Sequence, residues 1–202
     1  MSKARSFLLI LLSVFAVTAM GYAASASAHA IIIEGKEIAK GEVVAAEGSS
    51  IGATYFEVEG YVSHCTKSAS VDEFEHEGVG KSTITSSECK SSTGCAIKEP
   101  IVSKAKVELV IFKEKLGVKV TPAATYFTTA TLSGCRFAGE WKLYGSQTNE
   151  LPEAGVEKVE HETVITPAGS ALKVTGPEGT FAGYLEGKST TKLKSGKKWH
   201  ST

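Results

Sequence analysis

Five histidines and four cysteines are the residues of this chain best able to hold a metal or move a proton. His29 follows Ala24-Ser25-Ala26-Ser27-Ala28, small residues of the kind a signal peptidase requires. Cleavage after Ala28 would leave histidine as the first residue, and its α-amine and imidazole would chelate copper through two nitrogens. A third nitrogen from His64, His76 or His161 would complete a T-shaped brace. His76 also sits in the most acidic stretch, Asp72-Glu73-Phe74-Glu75-His76-Glu77, where a carboxylate–imidazole pair suits acid–base work and a hydrated loop is the plainer reading. In Glu160-His161-Glu162 a strand would place the imidazole on one face and both carboxylates on the other.

Gly48-Ser49-Ser50-Ile51-Gly52 spells G-x-S-x-G, the nucleophile elbow with Ser50 as last of its serines. That motif works only on a strand–turn–helix of a parallel sheet. Nothing after it has helical spacing, so a loop over Gly48 to Ser50 is expected. No cofactor is expected either, since no cofactor motif is present.

The elements that must carry these residues read as strands. Phe181 to Lys194 alternates: Gly183, Leu185, Gly187, Ser189, Thr191 and Leu193 share one face, and Glu186, Lys188, Lys192 and Lys194 the other. Phe137 to Tyr144 puts Phe137, Trp141 and Leu143 opposite Glu140 and Lys142. Val107 to Phe112 and Val118 to Val120 flank a Lys113-to-Gly117 loop, as in a hairpin. Prolines at 122, 152, 167 and 177 punctuate the runs, and Gly60, Gly139, Gly183 and Gly187 mark bulges or bends inside them. The expected fold is all-β, an antiparallel sandwich or partly closed barrel with few or no helices.

Export follows from Lys3 and Arg5 leading into the apolar run Phe7 to Val17. Residues 1–28 read as a signal peptide and 29–202 as one secreted β-rich domain. The mature part carries 20 basic against 22 acidic residues and a single arginine, Arg136, which argues against nucleic acid as a partner. Asp72, Asn149 and Gln147 are each the only residue of their type, so an oxygen-rich calcium loop is missing. No second apolar segment follows that would anchor the chain in a membrane.

In an oxidising compartment Cys65, Cys89, Cys95 and Cys135 pair, with three connectivities open. Cys89–Cys95 closes the shortest loop, which favours it and leaves Cys65–Cys135 as the long staple. A zinc site on these thiols with His64 or His76 lacks closely paired ligands. The segments Ser86-Ser87-Glu88-Cys89, Val107-Glu108-Leu109, Leu116-Gly117-Val118, Gly134-Cys135 and Leu193-Lys194-Ser195-Gly196-Lys197-Lys198 resemble a group of uncharacterised secreted β-rich proteins of high-GC Gram-positive bacteria. The resemblance spans most of residues 60 to 198. It implies secretion and a β-rich fold, and brings no catalytic or binding residues.

The expected function is therefore that of a secreted or cell-envelope β-domain with a non-catalytic binding or structural role. Trp199, beside Lys197-Lys198 and expected at the surface, and Tyr144 are the candidate contacts to cell-wall or extracellular polysaccharide. The alternative is a copper-binding protein or oxidative polysaccharide enzyme built on His29.

Overall fold

A computed structural model describes residues 29–59 and 61–202; the signal-peptide reading of 1–28 and the proposed bulge at Gly60 lie outside the described residues. The described chain is all-β. Its only helical pieces are single 3-10 turns at His76–Gly78 and Pro167–Gly169.

Eight strands form a ring. In chain order these include β3 (Val44–Ser50), β5 (Tyr61–Phe74), β6 (Val79–Ser91) and β8 (Ile101–Phe112). The others are β9 (Lys115–Pro122), β12 (Gln147–Glu150), β13 (Glu160–Ile165) and β15 (Gly179–Leu193). Neighbours run β13-β12-β9-β8-β6-β5-β3-β15, and β15 pairs back onto β13 from Glu160↔Lys192 to Ile165↔Gly187. Every pairing is antiparallel. β12 and β13 meet through a single pair, Glu150↔Val164, so the ring is partly closed there; eight strands so arranged enclose a space wide enough for one small ligand.

Only the second half of β15 belongs to the ring. Its first half pairs with β4 (Thr54–Val58) on one side and β14 (Leu172–Gly176) on the other. The sheet then continues through β11 (Gly139–Tyr144), β10 (Thr128–Ser133) and β7 (Ala96–Ile97). This second layer packs Val58, Cys95, Leu132, Trp141 and Val174 together. The Trp141 indole lies flat against Gly176, where any side chain would overlap the ring, and its Nε1 donates to the Phe137 carbonyl at 2.9 Å. At the far end, β16 (Trp199–Ser201), β1 (Ile31–Ile33) and β2 (Lys36–Glu37) make a three-stranded cap. Trp199, Ile31, Ile38, Leu109, Leu116 and Leu193 close that end with an apolar cluster.

The alternation read from the sequence holds. Leu193 is buried at 1% exposure while Lys188, Lys192 and Lys194 face water. Three local readings differ. The β8–β9 hairpin turns on Lys113-Glu114 alone, both at positive φ (50° and 64°), so Gly117 lies within β9 and not in the loop. Gly117 is needed there because a Cβ would approach the Asn149 carbonyl to 2.7 Å. Gly48 to Ser50 ends β3 and is not a loop, since ladder pairing to both β5 and β15 overrides its flexible composition.

The third difference is the disulfides, which pair Cys65 with Cys89 and Cys95 with Cys135. Loop-closure entropy favours Cys89–Cys95, but register decides otherwise. Cys65 and Cys89 stand directly opposite on β5 and β6, while β7 carries Cys95 into the second layer beside Cys135. Peptide mapping without reduction should recover Cys65–Cys89 and Cys95–Cys135 peptides; a Cys89–Cys95 peptide would contradict this register. Trp199→Ala should cost about 3–5 kcal/mol in urea unfolding, the usual loss for a fully packed aromatic side chain, and a loss near zero would mean Trp199 is not part of the cap.

Candidate functional site

Inward-facing side chains are not equally apolar along the ring. The cap cluster closes one end, and Phe127, Leu172, Phe56, Leu143 and Leu185 pack toward the second layer. Between them lies a belt of small and polar residues: Ser70 and Asp72 on β5, Ser82 on β6, Gln147 and Asn149 on β12, Thr163 on β13 and Thr191 on β15. Serines and glycines fill little volume, so the belt leaves the ring hollow. The result is a cavity of about 460 Å³ reaching from Trp199 and Ile31 at the cap toward Phe137 and Trp141 in the second layer. That volume is in the range of small-molecule sites, on the order of 300–1,000 Å³.

Three wall residues lie at turns and are exposed. Glu59 follows β4, Arg136 precedes β11, and Glu178 joins β14 to β15. They mark where the cavity reaches the surface. The Arg136 guanidinium lies 4.3 Å over the Phe137 ring, which holds it at this rim.

Asp72 is 7% exposed and carries the one buried carboxylate of the wall. The Ser70 hydroxyl donates to its Oδ2 at 2.7 Å. Burial pushes its carboxyl above the ordinary aspartate value, and the Ser82 and Ser70 hydroxyls draw it part of the way back. On β12, Gln147 Nε2 donates to the carbonyls of Thr166 (3.0 Å) and Thr148 (3.2 Å). Its Oε1 has no partner, and neither does Asn149 Oδ1 or Trp199 Nε1. The Tyr61 hydroxyl, on the same wall, is a fourth; buried polar atoms are nearly always paired, so four orphans around one cavity are unusual.

Most of the sequence-derived candidates fall elsewhere; Ser50, Cys65 and Trp199 line the cavity. His29 precedes β1, its carbonyl against Gly78. His64 stands beside Tyr55 (ring centroids 5.6 Å apart), and His76 Nδ1 lies 3.0 Å from the Ile38 carbonyl and 3.1 Å from Glu37. His161 is buried, its Nε2 2.7 Å from the Trp199 carbonyl, and Glu162 faces outward to Lys188. Among the described residues no three His, Cys, Asp or Glu side chains gather where a metal would sit. Ser50 Oγ accepts the Ser68 backbone N–H at 3.0 Å, and β4 follows it where an elbow needs a helix.

Tyr144 lies on β11, edge-on to Tyr126 at 5.9 Å, outside the cavity wall. Trp199 lines the cavity from an unexpected position. It is buried at 5% and not exposed as expected, because strand pairing to β1 draws the chain end into the cap between Phe74 and His161. It meets the cavity from inside. Sequence reasoning missed Asp72, Gln147 and Asn149 as a set. The usable signal was that each is unique in the chain.

No protein-family model, curated protein or solved structure matches the chain.

Because folded Asp72 holds its proton more tightly than the unfolded chain does, stability is greatest below the ordinary aspartate pKa of about 4 and falls as pH rises through the raised folded value. Asp72→Asn, neutral throughout, removes that fall. The melting temperature of the variant relative to the parent should therefore climb from acid to neutral pH when followed by circular dichroism. A constant offset would mean that the carboxyl ionises as readily folded as unfolded.

Proposed function

We propose that this protein is a secreted or cell-envelope binding domain, non-catalytic, whose ligand occupies the lumen of the ring. The hollow polar belt carries the reading. A barrel serving only as a scaffold gains by filling its interior with close-packed side chains, as natural cores do. Here thirteen of the wall positions are serine or threonine, among them Ser68, Ser86, Ser103 and Ser189, and the space they leave is open at one rim. Two disulfides support an oxidising, extracellular setting.

The lumen suits a compact molecule and not a polymer chain laid across a surface. Burial of Trp199 removes it from an outer polysaccharide platform with Tyr144. A ligand in the lumen would meet apolar walls at both ends and hydrogen-bonding groups at mid-height, the usual division between affinity and orientation in small-molecule sites.

A neutral apolar dye such as Nile red should bind in one-to-one stoichiometry with a blue-shifted emission. Ser103→Phe and Ser189→Phe, each adding bulk to the wall, should weaken it at least tenfold while the far-ultraviolet spectrum is retained. Dye binding that ignores both substitutions, or none at all, would contradict a lumenal site.

A further inference from the structure

Asp72 and Asn149 stand on opposite walls of the lumen. From β5 to β12 there are four steps through β6, β8 and β9, and four through β3, β15 and β13. The chain's only aspartate, only asparagine and only glutamine therefore all line this one space, the carboxylate facing the two amides across it. Among the described lining residues there is no lysine and no histidine. The only cation is Arg136, at the rim, where Glu59 and Glu178 accompany it. Asp72 itself has hydroxyl partners and no cationic one.

These facts restrict the ligand. An anionic head group, such as a fatty acid carboxylate, would meet a carboxylate in the lumen with no cation to offset it. An ammonium group would meet a buried acceptor already fixed by a hydroxyl, in surroundings where a charge-assisted hydrogen bond is strongest. Building on the lumenal site proposed above, we infer that the lumen selects a small organic amine: its ammonium group donates to Asp72, its apolar body fills the space toward Phe127 and Leu143, and a second polar group meets the Asn149 amide. The amine supplies the opposite charge that the wall omits. The unpartnered Asn149 Oδ1, on a side chain 8% exposed, marks the opposite wall as the place for that second group.

The test pairs two isosteres, tryptamine and its alcohol counterpart tryptophol, titrated calorimetrically into the full disulfide-bonded protein. Tryptamine should bind roughly tenfold or more tightly than tryptophol, the scale of a charge-assisted over a neutral hydrogen bond. Asp72→Asn should abolish that preference, bringing tryptamine and tryptophol to within about twofold of each other. Equal binding of both by the unaltered protein would overturn the amine inference and leave the lumenal site standing, and this comparison does not depend on the variant folding. A tryptamine preference that persists in a folded Asp72→Asn protein would also overturn it. If neither compound nor Nile red binds, the lumenal reading itself fails.

Discussion

Everything in this molecule hangs on β15, the strand shared by the ring and the second layer. Its second half lies between β3 and β13 and closes the ring; its first half pairs with β14 over Gly179–Gly183, then with β4 over Tyr184–Glu186, and starts the second layer. Along the second half both edges are satisfied, leaving no N–H or C=O to seek water, and the antiparallel ladder extends from β15 in both directions. Were β13 to separate from it, the ring would become an open sheet with two edges, and the lumen would cease to exist as an enclosed space.

The energetics divide by height. The cap around Trp199 and the second-layer cluster around Trp141 bury large aromatic and aliphatic side chains and supply most of the hydrophobic stabilisation. The belt between them contributes little of that and carries the cost of desolvated polar groups, Asp72 above all. The outer face adds ion pairs such as Lys188–Glu162 and Lys192–Glu47, which are half-exposed and count for little in water. The two disulfides tie β5 to β6 and the second layer to itself, near the rim end of the cavity. A stable cap and a stapled rim thus hold open a weakly packed middle, and that division allows a cavity to persist.

How much of this was legible in the sequence depended on the range of the interaction. Phe181 to Lys194 announced its two faces through simple alternation, and the fold class followed from several such segments. Ring closure did not, because alternation is the same in a sandwich and a barrel. The disulfides were misjudged because loop entropy is local, whereas the opposition of Cys65 and Cys89 is a consequence of strand register. Trp199 was misjudged for a similar reason: lysines beside it suggested solvent, and only pairing with β1 reveals that the end of the chain is a strand. The site was visible in outline only as an oddity of composition. Asp72, Gln147 and Asn149 are far apart in sequence from Asp72 to the amide pair, and nothing local indicates that they share a lumen.

The most direct test of the account is a nuclear Overhauser measurement across β13 and β15 in the isotopically labelled protein. Alternate pairs in the register from Glu160↔Lys192 to Ile165↔Gly187 should show the close Hα–Hα contacts of non-hydrogen-bonded antiparallel partners. Their presence is what a closed ring predicts. If β13 shows contacts to β12 alone, the sheet is open, and the enclosed lumen on which the functional reading rests is not there.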